Sequence, residues 1–589
     1  MYVAITGAGK ARVIQFREDT RIPGTNKKKT RVIETLGNYE RMLAEDPDIV
    51  AKLKAKASLM TKEKKAASAP LTINVPVADI TKPGDVVPSF RFGHAIIKQI
   101  WQSMNLDDFI TKKSGKRNAQ AVAQAIYYLI AHRCAKPSSI LASANEQSSY
   151  AGIEPIGLDV LYDVLDVLDE LKDDVIDHLA RFFERKTDRV GSEAYYDVTT
   201  YAFESTKWGE LRMFGFSKDH KNNEVQVVMG LLIDNNGIPI TYELFPGNTM
   251  DQSTLSKSVE RLKALYNLEK ITVVADRGLN SGTNLEMLVN GGHDFVISYT
   301  LKRSSQDFKS LIWDEEGWEL TYDSESGELI STSKIVGQML EVKVQITQAE
   351  EPEIKKRGRP KKYNVETIPV NIHLTWSAKR AAKDRSDRER MLERLRKRMD
   401  KPYQLKAAIK KGCNQYLQME LDTNNWQIDE AKIEEAARYD GYYAIITNNL
   451  TLGTDKVSKI YGGLWKIEES FRILKTDLRA RPVFVWSDNH IRGHFAMCYI
   501  SLCIMRYAQH VLEKAHGESV SAAQIMDAIH EPLAIVQGEF PNNVVTPTRI
   551  PQAYLDLASA LELPTLKSYM TLTNFKTCTK LDLSNNLKK

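Results

Sequence analysis

Between residues 93 and 190 apolar residues recur at steps of three and four, as in HAIIKQIWQSM, AQAVAQAIYYLIAHRC, VLYDVLDVLDEL and DVIDHLARFFERK. This spacing predicts a run of amphipathic helices. At 193 the period drops to two. EAYYDVTTYAFES alternates as a strand does, and VQVVMGLLIDNNGIPITYELF reads as two strands about an Asn-Asn-Gly turn. Next come a helix (DQSTLSKSVERLKALYN), the buried-type strand ITVVA, and a helix opened by the capping box at 283–286 and closed by Gly291-Gly292. The strand DFVISY completes the series.

The resulting order, β-β-β-α-β-α-β, is that of a ribonuclease H-like α/β core, a mixed five-stranded sheet with helices on its faces. Before it, short strands (YVAIT, ARVIQF, TRVIETLG), a Lys/Ala-rich helix near 47–67 and a Pro/Val/Ser linker occupy 1–88. The helical segment 89–190 is a candidate for binding DNA ends. The first part of the core spans 191–303. Residues 304–452 break the alternation and read as a β-rich insertion, and 453–515 return to the core with a helix from about 456 and a long helix at 489–515. Residues 516–589 read as helical, with dimerisation as one candidate role.

Composition adds little to this until it is resolved along the chain. A net charge of +5 over 589 residues is mild, but 1–67 carry 15 Lys+Arg against 8 Asp+Glu, and 379–400 carry 10 against 5. Such local surplus suits a polyanion or a solvated helix face. The five cysteines form no CxxC pair, as expected of a reduced, intracellular setting. The longest apolar run, 495–505, is far short of the ~20 residues of a membrane span, so a cytoplasmic protein with no membrane partner is expected. GAGK at 7–10 completes neither GxGxxG nor GxxxxGK[ST] and reads as a hairpin turn.

Three carboxylates stand out. Asp197 lies inside an apolar strand, on the face of Tyr195, Thr199 and Tyr201. A carboxylate there costs several kcal/mol unless a partner or cation neutralises it. Asp276 ends the strand VVAD, at the carboxyl edge where open α/β sheets bind ligands. Glu468 sits on a helix whose Leu464, Ile467, Phe471, Leu474 and Leu478 form the buried stripe. Tyr461, Glu468 and Lys475 recur at steps of seven, so on an ideal helix they share a line that borders this stripe. Taken singly, each acid could be an edge-strand, turn or boundary residue. Together they suit two Mg²⁺ ions, each taking one or two carboxylates and serving in-line phosphodiester chemistry.

The segments YYDVTTYAFES, GFSKDHKNNEVQVVMGLLIDNNGIPITYELFPGNTMDQSTL and VVADRGLNS resemble those of prokaryotic insertion-sequence DDE transposases of the insertion-sequence-four superfamily. That family ends its core on Tyr-x2-Arg-x3-Glu-x6-Lys, matched here by Tyr461, Glu468 and Lys475, with Leu464 in place of the Arg. The resemblance covers about 193–510. It implies Asp197, Asp276 and Glu468 as catalytic, metal-binding acids for Mg²⁺ or Mn²⁺, two ions in all. Tyr461 and Lys475 would hold DNA near the cut. It also implies cleavage at the element's terminal inverted repeats, strand transfer into target DNA, a homodimer on DNA and a prokaryotic, nucleoid-associated location. Leu464 is apolar and cannot supply the missing charge. Arg472, about 20° from Tyr461 on an ideal helix, is a candidate to do so.

KKRGRPKK at 355–362 resembles an AT-hook, with Arg357 and Arg359 positioned to enter a narrow minor groove. His490 and His494 have the i, i+4 spacing of zinc helices, but Ile491 stands where the metalloprotease pattern needs Glu, so packing is the better reading. The rivals are another nuclease or resolvase on the same fold, and a catalytically inactive DNA-binding relative.

Overall fold

The computed structural model describes residues 1–21, 28–68, 73, 75, 87–187, 193–215, 223–250, 253–266, 270–301, 306–345, 363–399, 416–419 and 426–587. The segment at 355–362, with Arg357 and Arg359, lies outside them. The chain divides into two compact units, Met1–Val86 with Val536–Val544, and Val87–Ile535 with Val545–Lys589.

In the first unit, β1 (Tyr2–Thr6), β2 (Val13–Arg21) and β3 (Lys28–Asn38) form an antiparallel meander, followed by α1 (Tyr39–Glu45) and α2 (Ile49–Ser68). Ile14 and Phe16 of β2 pack on Leu53 and Ala57 of α2, the small core that makes the sheet and helix one body. GAGK lies in the β1–β2 connection.

The second unit opens with β4 (Ser89–Arg91) and six helices: α3 (Ala95–Ser103), α4 (Leu106–Lys113), α5 (Ala119–Ala135), α6 (Ile140–Glu146), α7 (Leu158–Glu170) and α8 (Lys172–Lys186). The period-two region then gives β5 (Glu193–Ala202), β6 (Gln226–Asp234) and β7 (Pro239–Pro246), all antiparallel. After them come α9 (Leu255–Tyr266), β8 (Thr272–Ala275), α10 (Gly282–Asn290) and β9 (Asp294–Tyr299), with β8 parallel to both β5 and β9.

The sheet does not stop at these five strands. Beyond α11 (Gln306–Trp313), the intervening segment supplies β10 (Glu319–Tyr322), β11 (Leu329–Gln345), β12 (Tyr363–Ser377), α12 (Ala378–Met399), the small pair β13 (Leu417–Met419) and β14 (Trp426–Ile428), α13 (Glu430–Ala437) and β15 (Tyr442–Thr447). Four of these strands join the main sheet, whose order is β10-β11-β12-β15-β9-β8-β5-β6-β7. The physical reason is edge satisfaction: β9 would otherwise present unpaired N–H and C=O groups, and β15 pairs antiparallel with it, Ile446 opposite Ile297.

One face of this sheet is apolar and covered by α9, α10 and α11. Tyr196, Val198, Val273, Ala275, Ile297, Ile372 and Ile446 meet Leu262, Leu288 and Phe308 there. The other face carries α14 (Thr454–Gly462), α15 (Trp465–Arg472), a π-helical turn (Ile473–Asp477) and α16 (Asp488–His516). Tyr499 of α16 donates to the Ile240 carbonyl at 2.9 Å, and Phe495 stacks edge-on to Tyr201 at 5.0 Å. α16 also packs along α5 and α7, where Gly493 is required because a β-carbon would collide with the Leu165 carbonyl. The apolar run at 495–505 is thus a core helix, and no described helix is long and apolar enough to cross a membrane.

The carboxyl-terminal region is not wholly helical as expected. After α17 (Ala522–His530), β16 (Leu533–Gln537), β17 (Val544–Thr548) and, beyond α18 (Gln552–Ala560), β18 (Met570–Thr571) form a four-stranded sheet completed by β4. The alternating LAIVQ places Ala534 and Val536 inward, a period-two signal that a helical reading of the region overlooks.

Candidate active site

Asp197 sits midway along β5, half-buried between fully enclosed Tyr196 and Val198. Strand alternation turns it, with Tyr195 and Thr199, to the face opposite the α9–α11 core. Parallel pairing sets Tyr196 beside Ala275, so the next step along both strands sets Asp197 beside Asp276. Neighbouring strands are about 4.8 Å apart, which makes the two carboxylates adjacent. Asp276 is exposed, and the turn Arg277–Leu279 carries the chain away from the sheet immediately after it. On the far side, Ser298 of β9 donates its hydroxyl to Asp276 Oδ1 at 3.2 Å.

The helix that bears Glu468 is held over this same face. Tyr195 donates to the Ile460 carbonyl at 2.9 Å, and Gly463 has no side chain because the Tyr195 ring fills that space. At the other end, Lys475 Nζ lies 5.5 Å from the centre of the Tyr201 ring. Asp197 lies between Tyr195 and Tyr201 on β5, as Glu468 lies between Gly463 and Lys475 on the covering segment. Leu464, Ile467, Phe471, Leu474 and Leu478 are all buried, the stripe expected from spacing, while Glu468 and Trp465 are exposed. Among the described residues no three His, Cys, Asp or Glu are grouped closely enough to hold a metal ion. The two Asp are brought side by side by strand pairing, and Glu468 is carried on the covering helix.

The segment is not one continuous helix. Gly463, Leu464, Lys466 and Ile467 donate to the carbonyls three residues before them, a tighter winding than α, and Ile473–Asp477 is wound more loosely as a π-turn. Angles counted on an ideal helix from Tyr461 therefore drift. Arg472 shows the consequence: its guanidinium is engaged by Asp477 at 3.1 Å and by Glu469 at 3.6 Å.

Tyr461 is half-buried, and burial holds its hydroxyl well above the ordinary phenol range. Ser298 and Tyr443 are close enough to influence that hydroxyl, and the Tyr443 ring centre is 5.7 Å away. Tyr461 therefore stays protonated.

Sequence reasoning missed Arg506. It lies on α16, buried, and donates from Nη1 to Glu469 Oε2 (2.7 Å) and Gln509 Oε1 (3.0 Å). From Nη2 it donates to the Lys466 carbonyl and the Ser470 hydroxyl, both at 2.8 Å. Its signal was present as a lone Arg in the apolar helix CYISLCIMRYAQHVL, a position that requires partners.

The two histidines of HIRGH go separate ways. His490 pairs with Asp166 at 3.4 Å, while His494 hydrogen-bonds the Ala480 carbonyl at 3.1 Å. Burial lowers the His494 pKa to about 3, with the Arg133 charge acting in the same direction. His494 is therefore neutral in the folded chain, and its contribution to stability is complete above the ordinary pKa near 6.5 and is lost as pH falls toward the folded value. Moving from pH 7 to pH 5 is expected to cost about 2 kcal/mol through this residue. The loss should disappear from the pH dependence of unfolding in His494→Gln, and an unchanged dependence would refute the assignment.

The family model described as the transposase DDE domain matches residues 189–504, more than half of the chain. A solved structure to which the chain is similar is the cryo-EM synaptic complex of piggyBac transposase with hairpin DNA. The identity is 9%, over 84% of this chain and 85% of that one, with a TM-score of 0.35. No curated protein matches the chain. The matched span runs from just before β5, through Asp197, Asp276 and Glu468, into α16, and on that match the chain belongs to the transposase DDE domain family.

Proposed function

We propose that this protein is an insertion-sequence transposase that cuts DNA at the ends of its element and joins the freed 3′ ends to target DNA. The observation that carries the reading is the parallel pairing of β5 with β8, which sets Tyr196 beside Ala275 and so brings the next residues, Asp197 and Asp276, to neighbouring positions within the family match. The order β7-β6-β5-β8-β9, with only the outer pairings β5-β6 and β6-β7 antiparallel, supports a ribonuclease H-like core.

Asp197, Asp276 and Glu468 would hold Mg²⁺ or Mn²⁺, two ions in this reading: their hard carboxylate oxygens suit these cations, though the described residues show no three-acid cluster. When bound, such ions activate a water or 3′-hydroxyl and stabilise the leaving oxygen. The chain's own groups orient the substrate. Lys475 offers a cation to a backbone phosphate, and Tyr461, kept protonated, donates beside Asp276. Arg472, exposed and ion-paired with Asp477 and Glu469, is the candidate to supply the charge of the missing signature Arg. We further read α3–α8 and the basic 355–362 segment, through Arg357 and Arg359, as DNA contacts, and a homodimer as the species that holds two ends together.

The test is Mg²⁺- or Mn²⁺-dependent nicking of DNA carrying the element's terminal repeats, with Asp197→Asn, Asp276→Asn and Glu468→Gln each assayed alone. Cleavage that survives any of the three would overturn the assignment of that acid, and survival of all three the whole reading. Inverted repeats flanked by a short target duplication around the gene would support the element type independently.

A further inference from the structure

Two segments leave the elements of the proposed active site and meet each other. Residues 203–215 continue β5 beyond Asp197, and 479–486, with sequence RARPVFVW, continue the π-turn of Lys475. They are joined where the Leu211 N–H donates to Asp488 Oδ1 at 3.2 Å and the Arg212 guanidinium lies 5.4 Å from the centre of the Trp486 ring. The extended run buries Val483 and Val485 and so turns Phe484 and Trp486 outward, 58% and 53% exposed. Trp208, on the adjoining turn, is 73% exposed.

Three large aromatic rings turned to water on adjoining segments form an exposed apolar patch that folding alone does not call for. Arg212 is also incompletely used: its Nε and Nη1 are enclosed yet make no hydrogen bond to any described residue. Around Phe484 a cavity of about 170 Å³ is lined by Arg133, Arg479 and Arg481. The run 479–486 contains no carboxylate, and Glu210 is the one acid in the turn 205–212.

We infer that this strip binds unpaired DNA nucleotides, with Phe484 and Trp486 stacking on bases and Arg212 and Arg479 taking phosphates. Exposed ring faces can stack on a base only when it is out of its pair, whereas the guanidinium groups serve any phosphate. The inference rests on the transposase reading for its context: strands separate near a cut, and Lys475 leads directly into the strip.

The test is fluorescence anisotropy of the full-length protein in EDTA, where no cleavage intervenes, with a labelled 20-nucleotide oligo(dT) and a blunt duplex of the same length. Phe484→Ala with Trp486→Ala is expected to weaken oligo(dT) binding about tenfold or more and duplex binding less than about twofold. Arg212→Ala should lower the slope of log affinity against log salt by about 0.7, while Arg212→Lys keeps the slope. Phe484→Leu with Trp486→Leu keeps apolar bulk and guards against misfolding, and it should lose oligo(dT) affinity equally. Unchanged oligo(dT) binding, or equal loss for single strand and duplex, would overturn the proposal. Because the readout is binding without metal, it can fail while acid-dependent cleavage stands, and it can succeed while cleavage proves absent.

Discussion

Asp197→Asn is expected to lower single-turnover cleavage of element-end DNA by about three orders of magnitude while leaving DNA binding within about twofold. The amide keeps the shape of the side chain and one carbonyl oxygen but removes the negative charge, at a position where Asp276 directly follows the neighbouring strand β8. Losing one hard anionic ligand of a phosphodiester-cleaving site removes on the order of 4 kcal/mol of transition-state stabilisation. The fold should not suffer. The amide is close to isosteric with the carboxylate, so the unfolding midpoint is expected to stay within a few degrees of wild type, about 1 kcal/mol or less. Cleavage within tenfold of wild type would remove Asp197 from the site. A lowered midpoint would show that the loss came from misfolding.

Arg506→Met is expected to destabilise the chain by about 3 kcal/mol and to abolish cleavage, though Arg506 is not placed among the acids. Its guanidinium bridges α16 to the Lys466 carbonyl, Ser470 and Glu469, on three residues that flank Glu468. Removing it takes the closest cation from the half-buried Glu469 carboxylate and the cross-helix donors from the Lys466 carbonyl and Ser470 hydroxyl, and frees α15 to shift over the sheet. Arg506→Lys restores the charge but cannot reach three acceptors at once, so it should recover stability only in part. Denaturant unfolding separates these variants. The discriminating readout is cleavage at a temperature where all remain folded. If Arg506→Met then cleaves as wild type does, Arg506 is a packing residue and does not position Glu468.

Much of the family-matched region was legible along the chain because its signals are local. The change of period at 193 marked β5, and the 3–4 spacing from Leu464 to Leu478 marked the buried stripe under Glu468. A carboxylate inside an apolar strand and another at a strand end drew attention to Asp197 and Asp276 before any pairing was known. What local geometry could not carry was longer-range placement. One ideal helix through 461–475 placed Arg472 near the Tyr461–Glu468–Lys475 line. The tight turn at 463–467 and the π-turn at 473–477 change the winding, and Arg472 is ion-paired with Asp477 and Glu469. The segment 304–452 was legible as a β-rich insertion, but not that β10, β11, β12 and β15 extend the main sheet.

By itself the sequence determined which side chains of each element face inward, since period two or 3.6 records the burial of one face and nothing further away. It therefore set Asp197 on a strand face and Glu468 at the border of a buried stripe. Only the tertiary structure decided which faces meet. Strand pairing put Asp276 beside Asp197, the unsatisfied edge of β9 recruited β15, and the cost of a buried guanidinium tied Arg506 to α15. Each of these joins groups distant in the chain through hydrogen bonds that must be satisfied somewhere, and no local pattern specifies where.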